Sequence, residues 1–452
     1  MSTPSETDAA KAGAVETRAA DARRFAQAAA TRQVWIWLIA AALVIAMPWF
    51  FYNWTTGRHS SFVIVLLSEI GLMTIFALSF NMLMGQAGLL SFGHAVLFGL
   101  GGYVTAHALN AIKAGGFWMP SELVPLAGGL GGLVFGIILG WLATKQRATA
   151  FAMITMGLGE MVAAAALMFI GFFGGEGGIT TDRVIDTSLL GITYAKPLQL
   201  YYLVAAWMLI AIVLMRLQTQ TPLGRMANAT RDNFERAQFV GYDPRMVRFY
   251  QYALSGLFAG IGGGLYAMVY EIITFDTVAA VKSSTALLST YIGGAGHFFG
   301  PVLGTILVVL LQSGVSLLSN AWLLYVGVLF IVMVMFAPGG LMGLIAVHSP
   351  IVRLGRLREL LVPYLTVLLP GIVALVGFIS LVELTSLVTI GTAQGKRIVL
   401  FGHAVMPLTA PPWIIAGALL LGGSFWLRWA AGGFRRRWNT LIDAAKARGI
   451  VV

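Results

Sequence analysis

The sequence predicts an all-α, polytopic membrane protein, with about ten transmembrane helices in a main block (34–345) and two more in a C-terminal extension (346–452). Three observations predict it. Charged residues make up only 10% of the chain and hydrophobic ones 58%, whereas a soluble domain carries about 25% charged residues. The apolar residues fall into runs near the roughly 20 residues that a helix needs to cross a hydrocarbon core. The basic residues gather at alternate ends of those runs, as they do in loops retained on the cytoplasmic side of a membrane.

Taken in order, residues 1–33 are polar and Ala-rich, with Lys11, Arg18, Arg23, Arg24 and Arg32 offset by Glu6, Asp8, Glu16 and Asp21. They are too acidic for the n-region of a signal peptide and read as a cytoplasmic tail. Predicted spans follow at 34–51, 62–84, 91–109, 123–143, 149–173 and 200–217. After a charged island come 249–270, 279–292, 301–318 and 323–336, then 362–384 and 413–429 in the extension. The 279–292 run is short and reads as a partial or re-entrant helix. The 54 glycines concentrate in runs such as LAGGLGGLVFG (126–136) and LFAGIGGGL (257–265). Small residues there let helix backbones approach closely in lipid.

With a cytoplasmic N-terminus, Lys145 and Arg147, the 216–248 island, Arg353, Arg356 and Arg358, and the Arg435-Arg436-Arg437 run all fall on the cytoplasmic side. The C-terminus falls there too. The opposite connections hold Arg58, Lys113 and a mixed-charge loop at 174–196. The net charge of +11 is therefore a loop bias and implies a lipid bilayer rather than nucleic acid. There is no cysteine, hence no disulfide framework or thiolate metal site. The six histidines have no metal-ligand spacing and no nucleophile motif stands out, so an enzyme is not predicted.

The island, RMANATRDNFERAQFVGYDPRMVR (225–248), holds five arginines, two aspartates and a glutamate. Pro222 suits a helix start, and 223–240 can be written as one amphipathic helix with a small-residue stripe of Met226, Ala229, Asn233, Ala237 and Val240. Arg225, Arg231, Asp232, Glu235 and Arg236 occupy much of the rest, Gly241 ends the helix, and Asp243-Pro244 turns toward the next span. Such a helix suits a groove on a cytosolic partner. The alternative is an interfacial helix on the headgroups, which would show large apolar anchors; Phe234 and Phe239 leave that alternative open.

Three motifs carry a resemblance. TPLGRMANATRDNFERAQFVGYDPRMVRFYQYALSGLFAGIGGGLYA (221–267) resembles the coupling-loop region of branched-chain amino acid ABC transporter permeases. Glu235, Ala237 and Gly241 stand at the key places of that family's Glu-Ala-Ala…Gly loop, with Arg236 where the family often has Ala. FNMLMGQAGLLSFGHAVLFGLGGYVTA (80–106) is similar to its glycine-rich segment, and GGAGHFFGPVLGTILVVLLQ (293–312) to its GG-x-G-x-x-x-GP signature. The three cover roughly 60–345, and the extension departs from the family pattern.

The resemblance implies an M-type permease subunit of a bacterial inner-membrane importer, with coupling residues Arg225, Arg231, Asp232, Asn233, Glu235, Ala237 and Gly241 in a coupling helix at 222–242. It implies two cytosolic ATP-binding subunits, a second permease subunit making a heterodimer, a periplasmic solute-binding protein and a small-molecule solute. No cofactor is expected in this chain. It lacks a G-x-x-x-x-G-K-[ST] loop, and GTAQGK (391–396) has the wrong spacing, so ATP belongs to the partners.

Ionisable or polar groups inside spans are costly and mark candidate pathways. Glu69, Asn81, Gln86, Ser91, His94 and Glu160 are the candidates here. The broken backbone around Gly85, Gly88 and Gly93 could present amide dipoles to a solute beside His94. Each also has a structural reading, with Glu160 bonded to a neighbouring helix and His94 capping a broken one. Glu271, Asp276 and Lys282 read as solvated charges on the outer rim. The competing function is an ion-coupled secondary transporter that uses Glu69 or Glu160.

Overall fold

In lipid every backbone N–H and C=O must be satisfied within the protein, which leaves helices as the solution for chains patterned this way. The computed structural model describes residues 38–53, 58–146, 148–317, 319–389, 398–400, 403–405 and 409–448. The tail at 1–33 and the GTAQGK stretch lie outside them. Among the described residues nine helices are long and apolar enough to cross a membrane. The protein is a polytopic all-α membrane protein, and every predicted span has a helix at its place.

The main block comprises α1 (Leu38–Phe50), α2 (Ser61–Asn81), α3 (His94–Lys113), α4 (Val124–Ala143), α5 (Ala148–Met168), the one-turn α6 (Ile170–Phe173) and α7 (Pro197–Gln220). The island forms α8 (Pro222–Asp232) and α9 (Phe234–Phe239). Then come α10 (Pro244–Tyr270), α11 (Ala280–Gly293), α12 (Gly300–Leu310), α13 (Trp322–Phe336) and α14 (Gly340–Arg353). The extension supplies α15 (Leu361–Thr389) and α16 (Ala410–Ala447). Two helices end in a π turn, α2 at Met82–Gln86 and α12 at Leu311–Val315.

Helix α10 is the axis of the core and packs against α2, α3 and α4. Its glycines make this possible. A Cβ on Gly260 would lie 2.2 Å from the carbonyl oxygen of Gly128 in α4, and one on Gly132 would lie 2.2 Å from that of Gly256. The backbones touch directly, the close approach expected where small residues replace hydrophobic driving force. Helix α10 begins at Pro244, earlier than the span predicted at 249, because Asp243 caps it by accepting the Arg245 N–H at 2.9 Å and Pro244 sits at the first helical position.

Helix α11 is 14 residues long, so it rises only about 21 Å, in keeping with the partial helix predicted there. Its hydroxyls replace missing caps and contacts. The Ser283 hydroxyl accepts the Ala95 N–H at 2.9 Å, serving the first turn of α3, whose N-cap Gly93 has no side chain to offer. At the other end, Gly294 (φ +109) and Gly340 (φ +65) interlock. A Cβ on Gly294 would lie 2.1 Å from the Gly339 carbonyl, so the GG signature lets the α11–α12 turn nest on the start of α14.

One end of the bundle gathers the α4–α5, α8–α9 and α14–α15 connections and the C-terminal part of α16. Arg248 donates to the Gln146 carbonyl at 3.0 Å and Arg437 to Glu359 at 2.6 Å. The basic run at 435–437 lies on α16, which extends to Ala447 rather than ending near 429. Good helix formers continue past the apolar run, and Leu441 packs with Ile351 and Leu360.

The opposite end is an ordered cap. Ile179–Thr180 pairs antiparallel with Ile272–Ile273. Glu122 accepts from the Ser188 hydroxyl at 2.6 Å, the Leu189 N–H at 3.1 Å and the Tyr194 phenol at 3.2 Å; burial and that carboxylate push the Tyr194 pKa up to about 12. A hydrogen bond from Lys113 holds the Asp182 carboxyl below its ordinary range. Glu271, expected as a free rim charge, pairs with Arg183 at 3.7 Å.

Candidate functional site

The island does not form one helix. Asn233 is extended (φ −154, ψ 107) and its side-chain oxygen accepts the Arg236 N–H at 2.9 Å, ending α8 and capping α9. The break resets the register, so the predicted small-residue stripe does not face outward together. Gly224, Ala227, Thr230 and Ala237 are buried against this chain, Ala237 only 2% exposed. The projecting tip is instead Phe239 (90% exposed), Val240 (66%) and Tyr242, with Gly241 (φ +89) in open space between them. Arg225, Asp232, Glu235 and Arg236 are exposed around it.

Arg231 points the other way. Its guanidinium donates through Nη1 to the carbonyl of Gly85, inside the π turn that ends α2, and through Nε to Asp232 at 3.0 Å. A Cβ on Gly85 would fall 2.2 Å from the Asn81 Oδ1 and 2.4 Å from the Ala295 carbonyl, and one on Gly88 (φ +66) would fall 2.7 Å from the Arg231 Cγ. Gly88 is thus the space through which Arg231 reaches the Gly85 carbonyl. Residues assigned from sequence to two separate roles, coupling and pathway, meet here.

The same π turn is held from a second side. Gln251 of α10 donates to the Met82 carbonyl at 3.0 Å and to the Gln86 side chain at 3.1 Å, and accepts from Gln218 of α7 at 2.8 Å. Arg248 stands over the Phe234 ring at 5.4 Å while bonding the Gln146 carbonyl. Gln218, Gln251 and Arg248 were not singled out from sequence, although a buried glutamine within an apolar helix is itself a signal.

The remaining pathway candidates separate. Ser91 is fully buried beside Tyr252. His94 is 0% exposed, stacked on Phe76 with ring centroids 5.5 Å apart, and 2.9 Å from the Ser79 hydroxyl. That hydroxyl gives its single hydrogen to the Phe76 carbonyl at 2.7 Å, so His94 must donate from Nε2 and leave Nδ1 as an acceptor. Glu160 is exposed on α5, on a face with Met153, Gly157 and Met161.

Glu69 lies in the opposite half of the bundle from Arg231. It accepts from Ser313 at 3.3 Å in the second π turn. Lys282 is not a solvated rim charge. It is half-buried, with its ammonium 4.7 Å from the Tyr266 ring centroid and 5.6 Å from that of Phe98. Two apolar clefts, one walled by α3 to α6 and one by α15 and α16, contain none of the predicted site residues. Among the described residues no group of three metal-ligating side chains comes together.

Residues 62–338 match the family model described as branched-chain amino acid transport system / permease component. The chain is 24% identical over 328 residues to the high-affinity branched-chain amino acid transport system permease protein LivM of Escherichia coli K12, which covers 67% of this chain and 74% of that protein. The LivM protein of Salmonella typhimurium is 25% identical over 331 residues, with the same shares. A probable branched-chain amino acid transport permease protein LivM of Methanocaldococcus jannaschii is 24% identical over 315 residues, or 60% of this chain and 90% of that one. No solved structure gave a significant match.

Proposed function

The chain belongs to the branched-chain amino acid transport permease family, and from that membership we propose that it is the translocating membrane subunit of an ATP-driven importer for branched-chain amino acids or similar small solutes. In this reading it sits in a bacterial inner membrane with both termini in the cytoplasm. Two cytosolic ATPases supply the energy, a periplasmic solute-binding protein delivers the solute to the end capped by 174–196, and a second permease subunit completes the pathway. The ATPases dock on α8 and α9, whose exposed tip at Phe239, Val240 and Tyr242 offers the apolar anchor and whose Glu235, Arg236 and Asp232 offer the charged surround.

One observation carries the proposal. Arg231 ties this projecting loop to the Gly85 carbonyl at the end of α2, so a push on the loop reaches a broken transmembrane helix without an intervening flexible segment. An interfacial helix resting on headgroups would not need that bond. The exposed carboxylate of Glu160 supports the second subunit. A charge facing lipid at a helix centre costs about 2.5–3.5 kcal/mol on insertion scales, and a partner's surface removes that cost.

The test uses a chain that has no cysteine of its own. Phe239→Cys and Gln238→Cys are to be crosslinked to co-expressed ATPase subunits in membranes, with and without ATP. Crosslinks that change with nucleotide establish the docking. Free labelling at both positions, with uptake persisting after every candidate ATPase is deleted, would leave the ion-coupled carrier as the better reading.

A further inference from the structure

Four helices bring opposite charges to one place near the capped end of the bundle. Glu69 lies eight residues into α2, about 12 Å along its axis. Lys282 opens α11, Tyr266 and Tyr270 close α10, and Ser313 stands in the π turn after α12. Helices α2 and α10 touch where a Cβ on Gly262 would lie 3.3 Å from the Leu72 carbonyl, one turn from Glu69 and from Tyr266, the ring under Lys282. Glu69 and Lys282 nevertheless do not close into a salt bridge. Lys282 has no carboxylate partner among the described residues, and its ammonium rests on the faces of Tyr266 and Phe98.

This is an unusual way to leave two charges. A structural pair in a low-dielectric interior gains most by direct contact, since each uncompensated charge there is costly. Ring faces compensate an ammonium only in part. Glu69 keeps a hydroxyl donor from Ser313 at 3.3 Å, which holds the carboxyl in place. Asp276 is exposed, and Glu271 pairs with Arg183. The second π turn gives a further indication, because such turns frequently accompany functional sites.

We propose that Glu69 and Lys282 are the two poles of a solute site for a zwitterion, Glu69 receiving the solute's ammonium and Lys282 its carboxylate. The apolar side chain of the solute lies toward Tyr266 and Tyr270, which are only partly buried. The proposal rests on the permease reading and names the chemical class of the cargo at the point where it enters the membrane. An amine without a carboxylate, or an acid without an ammonium, satisfies one pole and leaves the other unpaired.

Two measurements test it with the full complex in membranes. In the first, Ser313→Cys is labelled with a thiol reagent in the presence of leucine, of isoamylamine, which lacks the carboxylate, or of 4-methylpentanoate, which lacks the ammonium. Protection by leucine and by neither analogue is expected. Equal protection by all three, or none by leucine, overturns the site. In the second, the uptake KM for leucine rises at least tenfold in Glu69→Gln and in Lys282→Gln, with Lys282→Arg restoring most of the loss. An unchanged KM in both neutral variants also overturns it. Protection without ATP-driven uptake would sustain the site and sink the importer reading, and uptake without protection would do the reverse.

Discussion

The guanidinium of Arg231 donates to the carbonyl of Gly85, a bond between residues 146 positions apart in the chain. It joins the loop that projects from the bundle to the π turn at which α2 loses its helical ladder. A bond to a charged donor contributes about 1.5–3 kcal/mol, within the range of 1–3 kcal/mol typical of coupling between sites. Arg231→Ala should therefore lower ATP-driven uptake by about tenfold or more while the protein still accumulates in the membrane. Arg231→Lys should recover part of it, since an ammonium reaches the carbonyl but not Asp232 at the same time. Uptake at wild-type levels in Arg231→Ala would show that the bond carries no coupling.

The α4–α10 contact makes a separate prediction about stability. Gly132 and Gly260 have no room for a methyl group, because the atoms in the way are backbone carbonyls that cannot rotate aside. Gly260→Ala should cost about 1–3 kcal/mol, the usual range for overpacking, and lower the detergent-solubilised melting temperature. Gly371 in α15 faces open space, so Gly371→Ala should be neutral or slightly stabilising by helix propensity. Equal effects at the two positions would mean that the backbones are not in contact.

The spans were legible because each is a predominantly apolar run with few charges, and the hydrocarbon core sets its length. Helix α11 was legible as short because Lys282, Ser283, Ser284 and Thr285 dilute its hydropathy. The break at Asn233 was not legible. One extended residue inside an otherwise helical pattern leaves the spacing intact while rotating everything after it, and this turned Ala237 inward and Phe239 outward. Nor could the sequence pair Gln251 with Gln86 or Lys282 with Tyr266, since such contacts depend on how helices far apart in the chain are set side by side.

His94 was a pathway candidate in the sequence, and the structure encloses it. Stacked on Phe76 and bonded to Ser79, it is out of reach of a solute in this conformation. His94→Gln keeps a side-chain donor for Ser79 and should leave the uptake KM unchanged. His94→Phe strands the Ser79 oxygen, and a buried group without its partner costs about 1–3 kcal/mol, so that variant should be less stable. A KM change in His94→Gln without a stability change would return His94 to the pathway.

Glu160 presents the opposite problem, a carboxyl on the outside of a membrane helix. Its face of α5 carries Met153, Gly157 and Met161, a strip narrow enough at Gly157 for close helix approach. If a second permease subunit covers this face, Gly157→Cys should crosslink to that subunit and should resist a membrane-soluble maleimide in the assembled complex. Glu160→Gln should then weaken assembly or uptake modestly, because the amide still bonds but carries no charge. Rapid labelling of Gly157→Cys from the lipid phase in the full complex would mean that the face is lipid-exposed, and the interface would have to be sought on another helix.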